Sequence, residues 1–231
     1  MRQLLLDIAQ ASAPSFENFV HGGNSELFHA LGNTVHGELP ERVIYIWGEP
    51  GAGKTHLLKA FAEAARTRRA RYLAAVDANF DRLDPCADLA GVIVLDDLER
   101  LPEAQQAALF NGFNERAFAL LVVAARAPPR DIAIRRDLAT RLATGLTYRV
   151  LPLTDEEKRS ALAAHARSRG FALSDEVSAY LLTHVRRDMG SLMATLDALD
   201  RYSLETGRPI TVPLLKAAMQ PQLPIARPAN P

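Results

Sequence analysis

The chain has 231 residues, 48% of them apolar, and its 27 basic and 27 acidic side chains cancel to a formal charge of zero. That supply of apolar residues supports one α/β domain with a small appendage, and the single cysteine, Cys86, excludes an intrachain disulfide. Neutrality argues against autonomous, non-specific grip on duplex DNA, which needs unopposed Lys and Arg to displace counterions. The first apolar run is too short and too soon followed by Asp7 for a signal peptide, and no run approaches the ~20 residues of a membrane helix. The cytoplasm is therefore the default location.

Residues 1–14 read as a flexible leader ending in Ala13-Pro14. Val43-Ile44-Tyr45-Ile46-Trp47 is a short β-rich run stopped by Gly48, and a helical pattern follows from Gly53 to about Arg66. A second strand fits Arg71–Val76. Gly91-Val92-Ile93-Val94-Leu95 is apolar on both faces, as a strand buried on both sides of a parallel sheet requires, and it stops at Asp96-Asp97. Pro102 suits the first turn of a helix running to about Ala117. Leu120–Ala124 gives a fourth strand and Tyr148–Leu151 a fifth. Alternating strands and helices predict a five-stranded parallel sheet with helices on both faces, over residues 15–152.

After Pro152 the pattern is helical only, predicting a small all-α domain over 153–219. Thr154-Asp155-Glu156-Glu157 and Ser174-Asp175-Glu176-Val177 both start helices with a hydroxyl cap and acids in the first turn. Met189, Leu192, Met193, Leu196 and Leu199 fall at helical spacing and predict a buried face, with a short fourth helix after Pro213. Residues 220–231 are Pro-rich and predict no regular structure.

Gly48-Glu49-Pro50-Gly51-Ala52-Gly53-Lys54-Thr55 has the full P-loop spacing between a predicted strand and a predicted helix. In such a loop the glycines let backbone N–H groups turn inward on the β-phosphate, and the helix N-terminus adds a favourable dipole. Lys54 would reach the β/γ oxygens and the Thr55 hydroxyl would ligate Mg²⁺. Asp96, at the C-terminal end of a buried strand, is placed to hold the same ion through water, and Asp97 to orient an attacking water. The bland alternative is that the two acids cap a strand or the next helix.

Other segments fall in a fixed order around this loop. Ser15-Phe16-Glu17-Asn18-Phe19-Val20-His21-Gly22 precedes it, Tyr45-Ile46-Trp47 leads into it and His56-Leu57-Leu58 leaves it. Asp137-Leu138-Ala139-Thr140-Arg141-Leu142 and Arg187-Asp188-Met189 come later. From Ser15 to Met219 this set resembles the AAA+ module of the DnaA family of replication initiators, and most of all its short Hda-type members.

The resemblance implies an AAA+ sheet followed by a helical lid, with ADP or ATP and Mg²⁺ between them. Phe19 and Val20 would lie near the adenine. Gly48, Pro50, Gly51, Ala52, Gly53, Lys54, Thr55 and His56 would cradle the phosphates, and Arg187 would touch the nucleotide from the lid, with Arg186 as its competitor. Arg141 would be an arginine finger for a nucleotide on a neighbour, with Arg135 and Arg136 as alternatives. The short leader and short tail fit an Hda-type plan, lacking the initiator's N-terminal and DNA-binding domains. Gln3-Leu4-Leu5-Leu6-Asp7-Ile8 resembles the peptide by which such proteins dock on the DNA sliding clamp, with Gln3, Leu4, Leu6 and Ile8 as the contacts. The implied partners are DnaA and the clamp, with DNA reached only indirectly, no membrane, and homo-oligomerisation left open.

One departure concerns the end of the fourth strand, where the family carries a hydroxyl residue followed by Asp. Leu121-Val122-Val123-Ala124-Ala125-Arg126 has neither, which predicts weak intrinsic hydrolysis and a stably held nucleotide. The rival readings are an autonomous ATPase such as a helicase loader, and a DNA-binding initiator fragment.

Overall fold

A computed structural model describes residues 13–38, 40–81 and 91–219. Gln3, Leu4, Leu6, Ile8, Cys86 and the Pro-rich segment 220–231 lie outside the described residues. The chain divides into two units, Ala13–Thr154 and the residues from Asp155 onward.

The first unit is built on strands β1 (Val43–Trp47), β2 (Ala70–Ala74), β3 (Val92–Asp96), β4 (Leu120–Ala125) and β5 (Leu146–Arg149). They form one sheet in the order β2-β3-β4-β1-β5, with every pair parallel. Helices α1 (Ser25–Val35), α2 (Lys54–Ala64), α3 (Glu103–Asn114) and α4 (Arg136–Leu142) cover it. Strand alternation sorts the core into two clusters. Val43, Tyr45, Ile93, Leu95, Leu121 and Val123 pack against Leu109 and Phe113 of α3 and Leu138 and Leu142 of α4. Ile44, Ile46, Val92, Val94, Leu120 and Val122 face Leu27 and Leu31 of α1 and Leu57, Leu58 and Phe61 of α2. Each fully buried Leu or Phe here contributes about 1.5–3 kcal/mol, so the two faces fix the sheet between its helix layers.

Three sequence expectations shift. The second strand ends at Ala74, because residues 75–77 turn into a short 3₁₀ segment. Pro102 caps α3 from outside, and that helix ends at Asn114. The fifth strand begins earlier, at Leu146, because its register is set by β1, with Ile44 opposite Leu146 and Trp47 opposite Arg149. Helix α1 was not anticipated.

The second unit holds α5 (Asp155–Ser168), α6 (Asp175–His184), α7 (Met189–Thr206) and α8 (Val212–Met219). Ser174 caps α6 by accepting the Val177 N–H at 3.3 Å, as its sequence predicts. The α7 stripe is core: Leu192, Leu196 and Leu199 are fully buried against Leu162, Leu181 and Leu214, with Met189 and Met193 packed on the cluster. His165 to Asp197 (2.6 Å) and Arg169 to Asp200 (3.0 Å) tie α5 to α7 at its border. Among the described residues no helix is long and apolar enough to cross a membrane.

Candidate nucleotide-binding site

The P-loop leaves the C-terminal end of β1 and enters α2 at Lys54. Gly48 is required by a close approach: a Cβ there would stand 2.6 Å from the Val150 carbonyl oxygen. Gly53 has φ 99°, a left-handed conformation that Gly adopts without steric cost, and a Cβ on it would lie 3.1 Å from the ring of Phe19. Phe19 therefore sits directly on the loop, as the sequence predicts. Its ring stacks on Phe28 at 6.2 Å and lies 5.6 Å from His56. His56 Nε2 is 3.2 Å from the Ser15 carbonyl, which fastens the opening segment to α2, and burial pushes its imidazole pKa down. Val20, next to Phe19, is half-buried.

Lys54 is only 8% exposed and donates to the carbonyls of Gly48 (2.7 Å) and Glu49 (2.9 Å). Burial pushes its ammonium pKa down, and Glu99, Asp96 and Asp97 pull it back up. These two carbonyl bonds position the cation across the mouth of the loop, where phosphate oxygens can replace them. Pro50, Gly51 and Thr55 are exposed around it, and Ala52 is buried beneath.

Asp96 ends β3 and is 3% exposed. Its Oδ2 accepts the Tyr72 hydroxyl at 2.9 Å and its Oδ1 accepts the Asp97 N–H at 3.0 Å, so the carboxylate is fixed in one rotamer with lone pairs to spare. Burial, followed by the Asp96 charge, pushes the Tyr72 phenol up. Thr55 and Asp96 offer hydroxyl and carboxylate oxygens, a donor set suited to Mg²⁺, which prefers hard oxygens and keeps several waters. Asp97 sits at φ 55°, tolerable for Asp, with Arg100 3.8 Å away.

The sequence reading missed Glu99. It lies beside the last residues of β4, where Oε1 is 2.8 Å from Arg126 Nε and Oε2 accepts the Arg126 backbone N–H at 3.3 Å. Ala125 pairs with Trp47 and accepts the Gly48 N–H at 3.3 Å, so Arg126 leaves the sheet next to the P-loop. An ion pair thus occupies the strand end where a hydroxyl and an acid are absent. Nothing in the local sequence signals this, since Glu99 and Arg126 meet only through the pairing of β3 with β4.

Arg141 lies in the last turn of α4, at the opposite edge of the sheet. Its Nη2 donates to Asn114 Oδ1 at 2.6 Å and its Cζ is 4.9 Å from the Phe113 ring centroid, both just ahead of β4. Gly145, three residues before the middle of β5, abuts Val43 at the start of β1. A depression of about 560 Å³ beside Arg141 is lined by Phe110, Arg136, Asp137, Thr140 and Thr144. Arg135 is committed to Asp137 at 2.7 Å, and its backbone N–H is held by buried Gln106 at 2.8 Å. Arg136 is exposed.

In the second unit Arg187 donates to Asp155, and Arg186 lies 3.4 Å from Asp188, the cap of α7. The anionic partner expected for a cation near that helix start is thus present as Asp155, whose carboxyl the Arg187 hydrogen bond holds below the usual carboxylate range. Arg187 keeps 60% of its side chain exposed.

Comparison with known proteins adds the following. The family model for the Hda lid domain matches residues 155–219, and that for the bacterial DnaA ATPase domain matches residues 11–81. An uncharacterised protein of Haemophilus influenzae is 34% identical over 225 residues, covering 93% of this chain and 97% of its relative. Domain III of the Thermotoga maritima replication initiation protein DnaA superposes with a TM-score of 0.71 at 22% identity, over 90% of this chain and 96% of that one. AMPPCP-bound DnaA from Aquifex aeolicus gives 0.69 at 22% identity, over 85% and 67%. A mutant of Thermotoga maritima RuvB gives 0.66 at 15% identity, over 89% and 71–72% of the two chains in turn. At these identities the structural likenesses establish the AAA+ fold and no more.

Proposed function

Because the chain belongs to the DnaA-related AAA+ family and carries an Hda-type lid, we propose that it switches off a DnaA-type initiator by completing the initiator's ATPase site. ADP or ATP with Mg²⁺ occupies the P-loop. Lys54 meets the β/γ oxygens, Thr55 and Asp96 hold the ion, Asp97 faces the water, and Phe19, Val20 and His56 border the base. Arg187 exchanges Asp155 for phosphate. Gln3, Leu4, Leu6 and Ile8 dock on the sliding clamp, which brings the protein to newly replicated DNA.

The observation that supports this best is the separation of Lys54 and Arg141 by the sheet. Lys54 follows the C-terminal end of β1, whereas Arg141 touches residues that precede β4. A strand of five residues spans about 17 Å, so Arg141 cannot serve its own P-loop and is available to a phosphate on another molecule. To do so it exchanges an amide oxygen and a ring face, each worth about 1 kcal/mol, for charge-assisted bonds to phosphate. Fingers supplied in trans accelerate hydrolysis by about 10³–10⁵. The bound nucleotide then acts on this protein as a conformational ligand, while turnover occurs in the partner.

A second reading, an autonomous ATPase, rests on the intact P-loop and Asp96. The two are separated by measuring hydrolysis of DnaA-bound ATP with this protein, clamp and DNA present or omitted in turn. The regulator reading expects stimulation only when all are present; equal phosphate release by the isolated chain contradicts it.

A further inference from the structure

Three guanidinium groups gather around one phenyl ring at the N-terminal edge of the sheet. Arg42, the residue before β1, places Cζ 4.7 Å from the Phe113 centroid and donates Nη2–H to the Phe118 carbonyl at 3.0 Å. Arg141 places Cζ 4.9 Å from the same centroid and bonds to Asn114. Arg116 follows α3 with a left-handed φ of 58° and brings a third cation; after burial, Arg116 and then Arg141 push the Arg42 guanidinium pKa down. The ring itself is only 7% exposed beneath them.

All the partners of this triad are neutral: a carbonyl, an amide oxygen and a π face. Among the described residues none of the three arginines enters an ion pair, whereas Arg66, Arg126, Arg130, Arg135, Arg159 and Arg169 do. The carboxylate on α4 that could neutralise them, Asp137, is already bonded twice to Arg135. Like charges held together in this way are relieved by an anion, and guanidinium groups match phosphate oxygens in pairs. The open depression on the far side of Arg141 leaves the approach clear.

We propose that Arg42, Arg116 and Arg141 form one polyphosphate-binding face that receives the terminal phosphates of a nucleotide held by a neighbouring AAA+ subunit. This rests on the trans reading of Arg141 and extends it: Arg141 contacts the reacting phosphate, while Arg42 and Arg116 attract and orient the anion.

The test is calorimetric titration of the full chain with inorganic tripolyphosphate, in a Lys54→Ala background that disables its own P-loop. Arg116→Gln is the decisive variant, because Arg116 is exposed and its loss leaves the packing intact, whereas Arg42→Gln also removes the bond to Phe118. Each substitution should weaken binding about tenfold, the effect of losing one charge-assisted hydrogen bond. Affinity unchanged by Arg116→Gln and Arg42→Gln overturns the face. A second arm, with Lys54 intact, measures hydrolysis of DnaA-bound ATP at limiting protein. Arg116→Gln should slow it about tenfold, and unaltered stimulation by that variant overturns the nucleotide as the occupant. If the unsubstituted protein stimulates no hydrolysis, the regulator reading fails, while the titration still decides the anion face.

Discussion

Gly48→Ala should damage the P-loop through one contact. The added Cβ would lie 2.6 Å from the Val150 oxygen and 3.5 Å from the Val150 Cβ. Val150 has no room to retreat: its N–H is bonded to the Trp47 carbonyl at 2.7 Å, its side chain is fully buried, and the preceding Arg149 pairs with Trp47. The loop or the end of β5 must move, at an overpacking cost of about 1–3 kcal/mol. For a protein of this size each kcal/mol lowers the melting midpoint by about 2–4 °C, so the loss is roughly 2–12 °C. Gly51→Ala is the control, because a Cβ there meets nothing within 4 Å and suffers only the cost of φ 82°. That cost is about 1–2 kcal/mol. Thermal unfolding followed by circular dichroism, with and without Mg-ADP, measures both. Nucleotide should rescue Gly51→Ala more than Gly48→Ala, since only the latter displaces the loop from its strand. If Gly48→Ala melts with the wild type and binds ADP equally well, the steric argument is wrong.

Lys54→Ala should weaken nucleotide binding by roughly 10–100-fold, the worth of one strong charge-assisted contact, and titration with a fluescent-labelled ADP reads this directly. His56 is held neutral by burial, so its folded-state pKa lies below the ordinary 6.5. The unfolded chain then binds the proton more readily, and the stability due to neutral His56 is present above pH 6.5 and lost as pH falls toward the depressed folded value. His56→Gln should flatten that slope in denaturant titrations, and an unchanged slope assigns it to other groups. Gln3→Ala combined with Leu4→Ala should abolish retention on immobilised sliding clamp while leaving ADP binding intact; undiminished retention removes the leader from the clamp contact.

The sheet and the phosphate loop were legible because both write themselves into short-range pattern. Val92–Leu95 is apolar at every position, and the Gly48–Thr55 spacing lies between a strand and a helix. What escaped depends on distant chain segments. Helix α1 carries Gly32, Asn33 and Thr34 in its last turns, poor helix formers, and is fixed instead by Leu27 and Leu31 in the core. Asn24 just ahead of it exchanges hydrogen bonds with the backbone of Leu151, at 2.9 and 2.7 Å, across 127 residues. Likewise Glu99 finds Arg126, and Arg42 finds Phe118, only once β4 is threaded between β3 and β1. Arg187 shows the converse: its position in the motif was readable, but its salt bridge to Asp155 was not.

The central claim is that Arg141 acts on a nucleotide outside this chain. Its most direct test is single-turnover hydrolysis of labelled ATP bound to DnaA, with clamp loaded on DNA and with wild-type protein or Arg141→Ala added at saturation. The account predicts rapid loss of ATP with the wild type and a fall of about 10³ or more, to the unassisted rate, with the variant. Equal stimulation by Arg141→Ala would contradict it.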